Sequence, residues 1–121
     1  GVISQINRKN GFKDTSMSGL EGRSTTPANT GELLIRLQKG QILSDNARRF
    51  VFDTLYQQPV HKGIPKGCND CRAADKLGEM SDVANDAGIV THGGHSYVLV
   101  VMSQGGTFKQ IAELTKTIET R

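Results

Sequence analysis

The chain has 121 residues, a net charge of +3, 36% hydrophobic residues, only 5% aromatics and no Trp. That length fits one small domain or a piece of a larger one, with a core built from Leu, Ile, Val and Ala, each burying less area than a ring. The cations are scattered singly or in pairs (Arg8-Lys9, Arg48-Arg49, Lys62, Lys66), which argues for a solvated surface over a nucleic-acid interface, and no apolar run approaches the ~20 residues of a membrane span.

Val2, Ile3 and Ile6 recur at helical spacing ahead of Asn10-Gly11, predicting a short helix within Val2 to Phe12 that stops at a glycine. Residues 13–25, rich in Ser, Thr and Gly, are expected to be loop. Thr26-Pro27 predicts a helix start, with Thr as cap and Pro in the first helical position. Leu33, Leu34 and Leu37 supply its apolar stripe and Gly40 its stop. Ser44 opens another helix, whose face of Ala47, Phe50, Val51 and Leu55 runs until Pro59.

After Pro65 the period changes. Residues 72–78, 83–90 and 96–102 are expected to be strands, separated by Met80-Ser81-Asp82 and by His92-Gly93-Gly94-His95. Connections this short imply antiparallel neighbours. Tyr97 to Met102 is apolar throughout, so both faces of that strand are expected to be buried. Thr107 caps a last helix with a stripe of Phe108, Ile111, Ala112 and Ile118. The expected class is α+β: helices, a three-stranded antiparallel meander and a C-terminal helix folded back on the sheet. Residues 1–121 then form a single partial domain, with 1–60 mainly helical and 61–121 holding the sheet and last helix.

Cys68-Asn69-Asp70-Cys71 precedes a strand, whereas a thioredoxin-type pair needs a helix N-terminus. A local disulfide, free thiols, or a zinc site completed by His92 and His95 remain open. Against zinc, the His-x-x-His spacing is tight and its Gly-Gly centre is already a turn. His61 is expected at the surface.

Between Ser24 and Met102 several segments occur in a telling order. They are Ser24-Thr25-Thr26-Pro27 with Glu32-Leu33-Leu34 and Gly40; Leu43-Ser44; Gly63-Ile64-Pro65-Lys66-Gly67; Asp75-Lys76-Leu77-Gly78-Glu79; Asn85-Asp86-Ala87-Gly88-Ile89-Val90; and Tyr97 to Met102. The set resembles the C-terminal half of a class A β-lactamase or a related penicillin-recognising serine hydrolase. The resemblance implies a β-lactamase/transpeptidase-like fold, an exported protein and acyl-enzyme chemistry on a β-lactam or peptidoglycan-like amide, with no cofactor. Lys76 takes the lysine place of the Lys-Thr-Gly strand and acts electrostatically, holding an anionic substrate and favouring proton loss from a neighbouring hydroxyl. Gly78 lets substrate lie flat on the strand, and the backbone N–H of Glu79 supplies half of an oxyanion hole.

The sequence departs from that pattern in several places. Leu77 stands where the family carries a substrate-binding Thr or Ser, and leucine cannot donate that bond. No Ser is followed three residues later by Lys, so the nucleophile is expected upstream of Val2 and these residues alone are expected to be inactive. Ser44-Asp45-Asn46 spells a family motif in the wrong place, and helix capping is its simpler role. Glu21 is the one carboxylate in the stretch where class A enzymes carry their deacylating base, and a surface group is its simpler reading. By the resemblance, strand 96–102 pairs on its far side with an N-terminal segment; a second copy could fill that edge instead. The alternatives to a hydrolase are a non-catalytic cell-wall-binding relative and a small zinc-stapled domain.

Overall fold

Each of the three longer helices starts at the residue whose side chain can satisfy its first free N–H groups. In the computed structural model, which describes residues 2–17 and 23–121, α1 spans Val2–Lys9, α2 Pro27–Gln38, α3 Asp45–Gln57 and α4 Phe108–Glu119. Thr26 accepts from the Asn29 N–H at 3.1 Å and Ser44 from that of Ala47 at 3.2 Å. Thr107 and Gln110 form a reciprocal capping box ahead of α4. Gly40, at φ +71°, ends α2 in the left-handed region that favours glycine. Arg48 of α3 donates to the Leu37 and Gln38 carbonyls at 2.9 and 2.8 Å, satisfying acceptors that the end of α2 leaves open.

Two local expectations need correction. Residues 13–25 are not all loop, because Ser16–Met17 (β1) pairs antiparallel with Arg23–Ser24 (β2). Strands of two residues are too short to leave a periodic signal. Phe50 does not join Ala47, Val51 and Leu55 on the half-buried face of α3 and is 71% exposed. At 100° per residue it lies well round the helix from Val51 and Leu55.

The sheet is an antiparallel meander, Arg72–Met80 (β3), Val83–His92 (β4) and His95–Gln104 (β5), in the order β3-β4-β5. Its strands run longer than the apolar pattern predicts, because His92 pairs with His95 and Met80 with Val83 across two-residue turns. Gly93, at φ +59°, takes the first central position, as a II′ hairpin turn requires. One face of the sheet carries Ala73, Ala84, Val90, Leu99 and Val101. With Ile64 and Ile111 these make the main core, where α4 and the 3-10 turn Ile64–Gly67 pack. The other face meets α2, where Gly31 closes on Val100, and α3 packs on β3.

β4 is the buried strand and β5 is not. Tyr97 to Met102 are all half-buried, against the expectation of two buried faces. Among the described residues β5 is paired on one side only, so its apolar side chains keep part of their surface.

Cys68 and Cys71 form a disulfide with Cα atoms 5.0 Å apart, packed against the core between the 3-10 turn and β3. The loop it closes is short, so chain entropy limits its contribution to about 2 kcal/mol. Replacing both cysteines by alanine is expected to lower stability by no more than that in urea melts. A larger loss would mean that the sulfur packing matters more than the crosslink.

Candidate active site

The Lys76–Glu79 segment lies on β3, a strand at the sheet edge. Alternation along the strand places Lys76 and Gly78 on the face that α2 covers further across the sheet, and Asp75, Leu77 and Glu79 on the face of α4. Lys76 is exposed; its Nζ reaches the Leu77 carbonyl at 2.7 Å and makes no ion pair among the described residues. A Cβ built on Gly78 would meet nothing nearer than Asn85 Cβ at 4.0 Å, so the strand is open above it. Leu77 is half-buried on the opposite face. The Glu79 carboxylate pairs with Lys62 at 2.8 Å, and Lys62 Nζ in turn sits 4.5 Å from the centre of the Phe108 ring. An exposed pair of this kind contributes about 0–1 kcal/mol.

Directly beside Lys76 the chain buries an acid. Asp75 and Asp86 are each 1% exposed. Their positions are diagonal across the ladder, since Asp75 faces Gly88 and Asp86 faces Leu77. Gln58 Nε2 donates to Asp75 Oδ1 at 3.1 Å, and the Ile64 N–H donates to Asp86 Oδ2 at 2.8 Å. Asp75 Oδ2 and Asp86 Oδ1 are buried, and apart from the two carboxyls themselves no described group offers either a hydrogen bond. Burial, then the hydrogen bond and charge of Asp86, push the Asp75 carboxyl up to about 8, with Gln58 opposing. Sequence reasoning gave neither aspartate a role. The available signal was an Asp next to small residues in each strand, Ala73-Ala74-Asp75 in β3 and Asp86-Ala87-Gly88 in β4.

A second polar cluster joins the far end of the sheet to α4. Glu119 accepts from Tyr97 Oη and bonds His92 Nδ1, both at 2.5 Å. These bonds, Tyr97's first, hold the Glu119 carboxyl below its usual range, while the same carboxylate raises His92. Tyr97 is pushed up by burial and then by Glu119.

The sequence model of the Beta-lactamase enzyme family matches residues 2–120. The chain belongs to that family. Among solved structures it is similar to PBP-A, at 20% identity and a TM-score of 0.82 over 96% of this chain and 48% of that one. A PBP-A mutant described as an acyl-enzyme complex with penicillin G matches at 20% identity and 0.78, over 97% and 50%. A β-lactamase from Sphaerobacter thermophilus DSM 20745 matches at 18% identity and 0.79, over 98% and 50%. The chain therefore spans about half the length of these β-lactamase-fold structures. No curated protein sequence matches it.

Other candidate positions of this β-lactamase-family chain fall apart in space or in role. Ser44 caps α3, the role its place in the sequence suggested. Glu21 lies outside the described residues. The zinc alternative does not assemble: Cys68 and Cys71 are tied in a disulfide, His92 bonds Glu119, and no cluster of three or more potential ligands exists among the described residues. No described helix is long and apolar enough to cross a membrane. A cleft of about 620 Å³ between α2, the β1–β2 hairpin and the sheet is lined by Phe12, Leu33, Met80 and Met102. It does not include Lys76 or Gly78, but Met80 continues their face of β3 towards it.

Proposed function

We propose that this chain supplies the substrate-binding strand of a serine hydrolase that attacks a β-lactam or peptidoglycan-like amide through an acyl-enzyme. The observation that carries the reading is Lys76 and Gly78 side by side on the open face of an edge strand. An unpaired ammonium there attracts an anionic substrate, and the bare Gly78 surface admits a flat amide. A ladder closed by Met80 and Val83 turns the Glu79 N–H to the free edge by antiparallel alternation, where it can donate to a carbonyl oxygen that becomes an oxyanion. In the reaction a serine oxygen bonds the carbonyl carbon, the C–N bond breaks, and the nitrogen leaves with a proton. The sequence holds no Ser-x-x-Lys, so that serine comes from a segment outside it.

The half-buried β5 and the exposed Val2, Ile3 and Ile6 of α1 are surfaces such a segment could cover, with β5 pairing as the inferred contact. A second copy on the β5 edge is the other possible occupant. The Cys68–Cys71 disulfide fits an exported protein. Leu77, standing where the family carries a hydroxyl, favours a second reading, a non-catalytic relative that binds a cell-wall peptide.

The test is the intact mass of the full-length gene product before and after exposure to penicillin G. A stable gain of one penicillin is the expected result, with slow release if Glu21 is only a surface carboxylate. No adduct and no drug turnover would favour the binding relative. Turnover without an adduct would mean an efficient deacylating base.

A further inference from the structure

Asp75 and Asp86 are diagonal neighbours on one face of the ladder, each 1% exposed and within hydrogen-bonding reach of the other, and no described cation forms an ion pair with either. Two negative charges so placed, away from water, would be costly. The groups around them offer donors to only two of the four oxygens. From the end of α3 comes Gln58, which is uncharged and is itself fixed by bonds to the Val60 carbonyl and N–H. From the 3-10 turn comes the Ile64 N–H. β4 contributes Asp86 itself. On β3, Arg72 and Lys76 belong to the opposite face, Arg72 over the Tyr56 ring and Lys76 on a backbone carbonyl, while Glu79 is engaged by Lys62. On α4, the buried polar side chain is Thr115, which bonds the Ile111 carbonyl.

We propose that Asp75 and Asp86 share one proton between Asp75 Oδ2 and Asp86 Oδ1, and that this shared proton positions β3, with Lys76 and Gly78 on it, against β4 and the 58–64 segment. One proton satisfies both orphaned oxygens at once. The surrounding backbone leaves the pair little room to separate. A Cβ on Gly63 would lie 2.2 Å from Asp86 Oδ2, and one on Gly88 would lie 2.8 Å from Asp75 Cβ. Gly63 is closed down on the Asp86 carboxyl and Gly88 on the base of the Asp75 side chain. Loss of the proton leaves two facing carboxylates with no donor between them, one residue from Lys76. The link to substrate binding rests on the function proposed above; the shared proton does not.

The pH signature follows from linkage. The folded chain holds this proton up to about 8, whereas an unfolded Asp releases it near 3.8. The stabilisation is complete below the lower value and is lost as pH rises towards the higher one, at tenfold in the folding equilibrium constant per pH unit, levelling above it.

The test is the stability of the full-length protein and its Asp75→Asn, Asp86→Asn and double variants by denaturant titration from pH 5 to 9.5. In Asp75→Asn the amide oxygen keeps the Gln58 bond and the amide N–H replaces the shared proton permanently. Its folding equilibrium constant relative to wild type is expected to rise by one to two orders of magnitude between pH 6 and pH 9. Asp86→Asn is expected to behave alike. In the double variant both amide oxygens are taken by Gln58 and Ile64, so two NH₂ groups face each other. It should be less stable than the sum of the single changes allows. Backbone amide resonances of residues 76–79 should titrate with the stability midpoint in wild type and stay fixed in Asp75→Asn. A ratio that does not change with pH, an additive double variant, or strand resonances that titrate equally in both proteins would overturn the proposal. None of these readouts involves penicillin, so the outcome stands whether or not the protein forms an acyl-enzyme.

Discussion

Replacing Gly67 by alanine is expected to cost about 3 kcal/mol or more and to separate α4 from the sheet. Gly67 closes the 3-10 turn and is buried beneath α4. A Cβ there would lie 2.2 Å from the Ala112 carbonyl oxygen, 2.7 Å from Thr115 Cβ and 3.0 Å from the Lys116 nitrogen. Two of these are helix backbone and the third is a Cβ, so no rotamer change relieves the clash. Either α4 shifts as a body or the turn moves. Both moves open the core around Ile64, Val90 and Ile111, which are 0–2% exposed. In thermal melts of the full-length protein this should lower the midpoint by roughly 10 °C. Gly94→Ala is the matched control, since nothing lies within 4 Å of a Cβ at that turn position; it should change stability by less than about 0.5 kcal/mol. If both variants melt alike, close approach at Gly67 is not what holds α4 down.

Much of this fold could be read locally because its boundaries are chemical. Thr26, Ser44 and Thr107 cap helices by bonds to N–H groups three residues away, so the sequence neighbourhood contains the whole interaction. The two hairpins of the three-stranded sheet are equally local. What the sequence could not disclose depends on what lies across from each residue. Tyr97 to Met102 has the composition of a buried strand, and only the sheet order reveals that β5 has one neighbour among the described residues. The Asp75–Asp86 pair is a property of register: Asp75 faces Gly88 and Asp86 faces Leu77, and a slip of one residue would send the two carboxyls to opposite faces. The family resemblance put Lys76 and Gly78 forward together, and alternation along β3 places the two on one face. The acid behind it left no motif, since buried carboxylates are recognised by the donors they lack.

Removing the Lys76 ammonium should separate site chemistry from fold stability. In the full-length protein, Lys76→Ala is expected to slow formation of the penicillin adduct by about 10²–10³-fold, the usual cost of deleting one preorganised electrostatic contact to a developing negative charge. The same change should leave the denaturant midpoint almost untouched. Lys76 is exposed, its one hydrogen bond is to the neighbouring Leu77 carbonyl, and surface changes of this kind stay within about 0.5 kcal/mol. Lys76→Arg keeps the charge but spreads it over a planar fork, so partial activity is expected if a point charge is what substrate needs. A Lys76→Ala variant that acylates at the wild-type rate would mean that substrate does not lie along β3. Slower acylation accompanied by a large fall in stability would mean that Lys76 acts through the strand's position rather than on substrate.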